Sequence, residues 1–392
     1  MAEKISATRF DLRAGTTGVI IVDLARIAAN WRALAALVRP AECAAVVKAD
    51  AYGLGAERII PTLIRAGCRT LFVATANEAL EARELAPEAV IYVLDGLIPG
   101  SADRLIAARA RPVLASLPEV QEWASLRPAN GRRHLAGLHI DSGLNRLGLP
   151  EDDLQRLVAN YSLFSSLNIG LVLSHLACAD DPLDTRNPTQ LATFNRLRTR
   201  LPHGPASLAA SDGLMLGPAY HFNLVRPGYA IYGGQAALGR KTPVEPAIIA
   251  RAVILQVREV SPGDWIGYSA SFSVQKPMRI ATVSAGYGDG IPRSASSTHT
   301  QPGGVVGIAG QLAPIVGRVS MDLITVDVTG FSDRDARRGT FVDLLGPNVP
   351  LELAGQLSGT IGYEILTRLG RRYPRVYVGE TTDPSSGLIV AP

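Results

Sequence analysis

Cysteines, long apolar runs and clusters of basic residues are scarce in this 392-residue sequence. Its three cysteines (Cys43, Cys68 and Cys178) share no close metal-ligand spacing and cannot all pair, which is typical of buried or incidental thiols in a reducing compartment. No apolar run approaches transmembrane length, and residues 1–6 lack the apolar core of a signal peptide. The net charge is +4, but no long run of lysine and arginine indicates nucleic-acid binding. We therefore expect a cytoplasmic protein that binds neither nucleic acid nor a membrane and has no metal site.

The pattern of apolar residues changes near residue 240. Before that point, short apolar runs typical of strands alternate with helical periods, such as the one formed by Ile59, Leu63 and Ala66. After it, β-branched runs broken by glycine and proline dominate. The sequence therefore predicts an α/β domain over residues 1–239 and a mostly β C-terminal domain over residues 240–392.

The first domain contains about eight short apolar strands, the number that a closed (β/α)8 barrel of the TIM type requires. The predicted strands are Ala44–Val47, Thr70–Ala74, Val90–Leu94, Pro112–Ala115, Leu135–Ile140, Ile169–Leu173, Ser207–Ala210 and the neighbours of Leu224. A doubly wound open sheet is the alternative. The barrel is favoured because no Gly-x-Gly-x-x-Gly fingerprint follows the first strand.

Lys48 follows the first of these strands directly, and Gly53 and Gly55 come soon after it. A lysine at the end of a buried strand is costly because desolvation disfavours the ammonium form. A lysine amine desolvated in this way is a usual starting point for Schiff-base chemistry. The structural alternative is a lysine at the rim whose ammonium group reaches solvent.

Other polar residues also follow predicted strands, at the barrel end where chemistry occurs in such folds. They are Asn145 and Arg146 after Asp141-Ser142-Gly143, His175, Ser211, and Arg226 with Gly228 and Tyr229. Single polar residues at strand ends are usually structural. Their concentration on one rim, together with a glycine amide that can approach a phosphate, indicates a functional site.

Six segments resemble motifs of the alanine racemase family and occur in that family's order. They are Val47–Gly53 (VKADAYG), His139–Gly148 (HIDSGLNRLG), Val225–Gly233 (VRPGYAIYG), Gly286–Gly290 (GYGDG), Val316–Asp322 (VGRVSMD) and Gly359–Glu364 (GTIGYE). The resemblance covers nearly the whole chain and implies the same barrel followed by a β domain. It also implies that the first strand, near residues 17–23, joins the β domain.

The resemblance implies pyridoxal 5′-phosphate held by Lys48 as a Schiff base, in a homodimer that is inactive as a monomer. Lys48 would serve as base on one face of the substrate, and Tyr268 from the other subunit would serve the opposite face. Lysine and tyrosine side chains have unperturbed pKa values of about 10, so a site that uses them near neutral pH must lower those values. Arg226 would face the pyridine nitrogen and keep it unprotonated, because an arginine does not give up its proton.

The remaining site residues are also implied by the resemblance. His175 would orient Arg226, and Arg146 would lie near the phenolic oxygen of the cofactor and the substrate carboxylate. The implied phosphate ligands are Tyr52, Ser211, Gly228, Tyr229 and Tyr363. The substrate entrance would be lined by Met321 and Tyr287 of the other subunit.

Three positions depart from the family pattern. His139 stands where many members have a lysine, which is carbamylated in some, so Arg146 needs another partner. We hypothesise that a bound anion or Asn145 positions it, while His139 could equally be a neutral packing residue. Leu54 replaces a usual histidine, and Ala210 replaces a common asparagine before Ser211.

These residues predict an alanine racemase that supplies D-alanine for peptidoglycan. A racemase of broader specificity, acting on serine for example, is the nearest alternative. A barrel-type pyridoxal phosphate decarboxylase is disfavoured by Tyr268 and Arg226. A non-enzymatic cofactor-binding barrel protein is disfavoured by the second domain, which carries Tyr268.

Overall fold

The computed structural model describes residues 15–126, 133–202, 204–235, 237, 239–380 and 389–390. Residues 1–6, which the signal-peptide argument concerns, lie outside that part. The chain divides into two compact units. One comprises residues 27–245, and the other combines the residues before 27 with those from 246 onward.

The first unit is built on parallel strands whose order in the sheet follows their order in the chain. Among the described residues, the strands are Glu42–Cys43 with Ala45–Val46, Thr70–Val73, Val90–Val93, Arg111–Leu114, Leu135–His139, Asn168–Leu173, Ala206–Ser207 and Leu224–Val225. Buried apolar residues dominate these strands, as expected for a sheet covered by helices.

The last strand closes the sheet onto the first. On one side, the amides of Glu42 and Val46 donate to the carbonyls of Asn223 and Pro227, both at 2.8 Å. On the other side, the Asn223 amide donates to the Ala206 carbonyl at 3.1 Å. The sheet is therefore a closed barrel of the TIM type, and the open-sheet alternative is wrong.

Helices alternate with the strands, and most of them bury apolar side chains. They are Leu24–Leu37, Ala56–Ala66, Ala76–Leu85, Ala102–Ala107, Leu117–Ser125, Glu151–Ala159, Tyr161–Ser165 and Arg186–Arg198. The helix Ala56–Ala66 buries Ile59, Ile60 and Leu63, in agreement with the periodicity of the sequence. Short 3-10 helices occupy Asp212–Leu216, Pro218–Tyr220 and Tyr229–Tyr232.

The second unit is mostly β, as predicted. Its strands within the described residues are Gly18–Asp23, Ile248–Val260, Trp265–Ile266, Phe272–Ser273, Met278–Val283, Val305–Ile308, Gln311–Pro314, Ile324–Asp327, Phe341–Leu345, Arg375–Val378 and Ile389–Val390. Its helices are Leu351–Leu357 and Gly362–Thr367, with 3-10 turns at Tyr268–Ala270, Tyr287–Asp289 and Arg293–Ala295. Gly18–Asp23 lies between Ile248–Val260, to which it is antiparallel, and Arg375–Val378, to which it is parallel.

Among the described residues, no helix combines the length and apolarity needed to cross a membrane.

Candidate active site

Lys48 begins an unusual turn at the carboxyl end of the first barrel strand. The four residues that follow it, Ala49–Tyr52, have φ angles between 51° and 60°, in the left-handed region. None of the four is glycine, and left-handed helical geometry costs an L-residue about 1–2 kcal/mol. The turn must therefore be held by other contacts. One of these is made by Asp50, whose Oδ1 accepts a hydrogen bond from the Ala56 amide at 2.7 Å.

The environment of Lys48 favours the neutral amine more than water does. Burial lowers the pKa of Lys48, and the nearby charge of Arg146 lowers it further. The carboxylates of Asp95 and Glu78 act in the opposite direction. A lysine of this kind can act as a nucleophile and as a base nearer to neutral pH.

Tyr52 ends the left-handed turn and packs into the barrel. Its side chain is 6% exposed, and its ring centroid lies 5.0 Å from that of Tyr232. Burial raises the pKa of Tyr52, so its hydroxyl keeps its proton. A Cβ atom on Gly228 would overlap this hydroxyl and lie 3.1 Å from Cβ of Val46. Only glycine therefore fits at position 228 without displacing Tyr52.

Ser211 connects this region to the last barrel strand. Its Oγ accepts hydrogen bonds from the amides of Gly228 at 3.0 Å and Ala230 at 3.2 Å. A serine hydroxyl that accepts two hydrogen bonds still has its own proton to donate. Tyr229, between these two residues, is buried. The result is a polar site of hydroxyl and backbone groups beside Tyr52.

Arg226 is 4% exposed, and no ion pair joins it to a carboxylate in the part of the chain that the structure describes. Its Nη1 donates to Ser207 Oγ at 2.5 Å, and its Nη2 donates to the Ser174 carbonyl at 2.7 Å and the Leu208 carbonyl at 3.3 Å. Burial lowers the pKa of Arg226 to about 10, which still leaves it charged at neutral pH. A buried cation bound only by neutral groups favours a further acceptor.

His175 is adjacent to Arg226 and is uncharged. The Arg226 Nη2 atom lies 3.4 Å from Nδ1 of His175. Because arginine has only N–H donors, Nδ1 must accept, which places the proton of the neutral ring on Nε2. Burial, followed by the charges of Arg226 and Arg146, lowers the pKa of His175 to about 3.

His139 is also buried and neutral, since burial and the charge of Arg226 lower its pKa to about 4. It cannot supply a negative charge to Arg146, and the structure favours the interpretation of His139 as a neutral packing residue. The Asn145 amide donates to the Asp141 carboxylate, which fixes the turn that precedes Arg146. A bound anion as the partner of Arg146 stays a hypothesis.

Three of the four site residues of the second unit lie in exposed turns, and the fourth lies in a helix. Tyr268 is 69% exposed and follows Gly267, whose φ is 78°. Tyr287 and Met321 lie next to each other, because the Tyr287 amide donates to the Ser320 carbonyl at 3.0 Å and the next amide donates to the Met321 carbonyl at 2.9 Å. Tyr363 is the second residue of the helix Gly362–Thr367 and is half-buried.

The twelve residues singled out in the sequence thus form two groups. Those of the barrel unit follow its strands at their carboxyl ends: Lys48, Tyr52, Arg146, His175, Ser211, Arg226, Gly228 and Tyr229. Those of the second unit are Tyr268, Tyr287, Met321 and Tyr363. Sequence reasoning missed Ser207, which it treated only as a strand residue, and Glu78. The spacing of Thr75 and Glu78, typical of a helix capping box, was the available signal for Glu78.

Models of known protein families match most of the chain. Residues 22–236 match the family described as "Alanine racemase, N-terminal domain", and residues 247–377 match "Alanine racemase, C-terminal domain". A protein of Methylobacterium sp. (strain 4-46) named alanine racemase is 46% identical over 92% of this chain and 97% of its own. A protein of Agrobacterium fabrum named catabolic alanine racemase is 40% identical over 95% of each chain.

Solved structures agree with these matches. The alanine racemase of Bartonella henselae, solved with covalently bound pyridoxal phosphate, superimposes with a TM-score of 0.87 and 40% identity. The match covers 92% of this chain and 99% of the other. The biosynthetic alanine racemase of Pseudomonas aeruginosa superimposes with a TM-score of 0.85 and 31% identity, over 93% of this chain and 100% of the other.

Proposed function

Because this chain belongs to the alanine racemase family, we propose that Lys48 and Tyr268 are the two bases with which it interconverts L-alanine and D-alanine. The observation that carries the assignment of Lys48 is its place on a strained turn at the carboxyl end of the first barrel strand. There, burial and a neighbouring arginine favour its neutral amine.

Pyridoxal 5′-phosphate is the cofactor of this family and is bound covalently in the Bartonella henselae enzyme. The residues of this chain fit it. Gly228 lets the backbone approach the Tyr52 hydroxyl closely, and Ser211 and the neighbouring amides are suitable groups for a phosphate. The buried charge of Arg226 has no carboxylate partner among the described residues and suits an unprotonated ring nitrogen as acceptor. Lys48 is proposed to hold the cofactor covalently.

When bound, pyridoxal phosphate draws in the electron pair of the broken Cα–H bond, which makes the Cα proton of alanine acidic. Lys48 Nζ then accepts or returns that proton on one face of Cα. The Tyr268 hydroxyl does the same on the opposite face, so that a proton removed from one side and returned on the other inverts the configuration. Arg226 stays protonated throughout, and the neutral His175 keeps its guanidinium in position. Arg146 binds the substrate carboxylate.

A homodimer is the second part of the proposal. Tyr268 is largely exposed, and Met321, 54% exposed, lies beside Tyr287 in the same unit. Such exposed aromatic and apolar side chains suit a subunit interface. We infer that Tyr268 of the partner subunit completes each site, and that Tyr287 and Met321 line the substrate entrance.

The cellular role is inferred from the activity. We propose a cytoplasmic enzyme that supplies D-alanine for peptidoglycan. The three free cysteines suit a reducing compartment. Growth of a bacterial strain that requires D-alanine, when this chain is expressed in it, would support a biosynthetic role. Failure of growth despite measurable activity would contradict it.

The direct test is racemisation of L- and D-alanine by the purified protein, followed by circular dichroism or chiral chromatography, with serine assayed in parallel. Lys48→Ala should reduce the rate by at least about 10³-fold and abolish the visible absorbance of the bound cofactor, because it removes both the covalent link and one base. Lys241→Ala, which changes an exposed lysine, is the matched control. Full activity of the Lys48 variant would contradict the assignment. Equal rates on serine and alanine would favour the racemase of broader specificity.

A further inference from the structure

Glu78 joins three segments of the barrel unit through one side chain. Its Oε1 accepts a hydrogen bond from the Ala49 amide at 2.8 Å, and its Oε2 accepts one from the Ala74 amide at 2.7 Å. Its own amide donates to Thr75 Oγ1 at 3.2 Å, which caps the helix Ala76–Leu85. The carboxylate therefore connects the ends of the first two barrel strands to the start of a helix.

The hydrogen bond from the Ala49 amide to Glu78 lies at the start of the strained left-handed turn. Ala49 directly follows Lys48 and is the first of the four left-handed residues. Asp50 anchors the far end of the turn through the Ala56 amide. Glu78 anchors the near end, next to the lysine. Because four L-residues in this geometry are individually disfavoured, loss of the near anchor should let the turn relax first around Lys48.

Glu78 is also one of the few charges that act on the Lys48 amine. The charged groups around Lys48 are Arg146, Asp95 and Glu78, and the adjacent His175 is neutral. Burial and Arg146 disfavour the ammonium form, whereas Asp95 and Glu78 favour it. Of these two carboxylates, Glu78 is the one that also accepts a hydrogen bond from the Ala49 amide, directly after Lys48.

We propose that Glu78 is a positioning residue for Lys48, because its carboxylate fixes the backbone that carries the lysine and places a negative charge near the amine. The inference rests on the proposed role of Lys48 as a base. It predicts two separable effects, one on the order of the turn and one on the pH at which the amine becomes available.

The test compares Glu78→Gln and Glu78→Asp in the full-length holoenzyme with Glu81→Gln, which changes an exposed carboxylate on the same helix. The first readout is amide hydrogen exchange of peptides covering residues 48–56, measured by mass spectrometry without substrate. Both Glu78 variants should exchange roughly tenfold faster there, because neither can bond both amides as the glutamate does. The second readout is the pH dependence of kcat in each direction, which reports groups of the substrate complex, where Lys48 is no longer joined to the cofactor.

In the direction in which Lys48 accepts the Cα proton, Glu78→Gln should move the acidic limb of the pH–rate profile to lower pH. Removing a nearby negative charge lowers the pKa of an ammonium group, so the neutral amine is present at lower pH. Glu78→Asp keeps the charge and should leave that limb in place while kcat falls. In the opposite direction Lys48 returns a proton, so the acidic limb should stay in place in both variants, whereas Glu78→Gln should move the alkaline limb to lower pH.

Wild-type exchange at residues 48–56 in both Glu78 variants would overturn the proposal, as would faster exchange with an unmoved acidic limb in Glu78→Gln. If Glu78→Gln does not fold, Glu78→Asp decides, since wild-type exchange and kcat in that variant would also overturn it. A wild-type protein without racemase activity would instead contradict the function proposed above, so the two failures are distinguishable.

Discussion

His139 stands where many members of the family have a lysine, but it differs from that lysine in the charge that its side chain can carry. A lysine there could become a carbamate and carry a negative charge, but a buried imidazole beside Arg226 stays neutral. Leu54 is a comparable case, because it replaces a histidine and is fully buried. A packing role explains the leucine, which the sequence alone left unexplained.

The buried imidazole should make the stability of the protein depend on pH. The pKa of His139 is about 4 in the folded chain and 6.5 for an ordinary histidine, so the unfolded chain binds one more proton between these pH values. Its contribution to stability is therefore complete above pH 6.5 and declines toward pH 4, by about 1.4 kcal/mol per pH unit. Urea unfolding of His139→Gln at several pH values should show a correspondingly smaller decline than the wild type. The exposed His299, changed to Gln, is the control. Identical slopes for wild type and His139→Gln would contradict the argument.

At the scale of elements, local patterns predicted the regular structure well. The periodicity of apolar residues predicts helices over Ala56–Ala66 and Leu351–Leu357. Both helices have these bounds in the structure, because each has an apolar face that can be recognised in the sequence. The β-branched residues of Ile315–Val328 predict a single β segment, and this prediction is wrong. Only Ile324–Asp327 is a strand in its second half, because Gly317 has a φ of 80° and Ser320 closes a turn onto Leu323.

The left-handed turn after Lys48 was not predictable from local sequence. Alanine and tyrosine carry no preference for such geometry, and aspartate adopts it only as a single residue, so the sequence does not predict a run of four. The contacts that hold the turn come from distant residues such as Glu78 and Gly228. The same limit applies to Ser207, whose bond to Arg226 requires two strands to be neighbours in the barrel. Motifs located the side chains of the candidate site, whereas only the fold located the groups that support them.

The packing of this turn against Gly228 gives a prediction. Gly228→Ala should displace Tyr52, lower the free energy of unfolding by about 1–3 kcal/mol and weaken cofactor binding, because the added methyl overlaps the Tyr52 hydroxyl. Chemical denaturation and titration of the apoprotein with cofactor would measure both effects.

Gly330→Ala, at a position with open space around it, is the matched control. Adding Tyr52→Phe removes the nearest overlapping atom and should recover part of the lost stability. An unchanged Gly228→Ala protein would contradict the packing argument.

At the scale of the whole molecule, the proposed sharing of sites between subunits can be tested by mixing two defective proteins. Lys48→Ala and Tyr268→Phe should each have little activity alone. After dissociation and reassembly as a mixture, heterodimers contain one site with both bases intact, and activity should rise to about a quarter of the wild-type value. Activity that stays at the level of the separate variants would contradict a site completed across the interface. Mixing each variant with itself is the control.

The strand Gly18–Asp23 has a consequence for synthesis of the chain. Its neighbours in the sheet, Ile248–Val260 and Arg375–Val378, leave the ribosome long after it does. At a synthesis rate of about 5–20 residues per second, its first partner strand is synthesised on the order of 10–50 s later. The barrel strands, which all precede residue 245, can pair in the meantime. The nascent chain therefore exposes an apolar strand with free hydrogen-bonding edges while its barrel forms. We expect this segment to be the part of the nascent chain that most needs protection by chaperones.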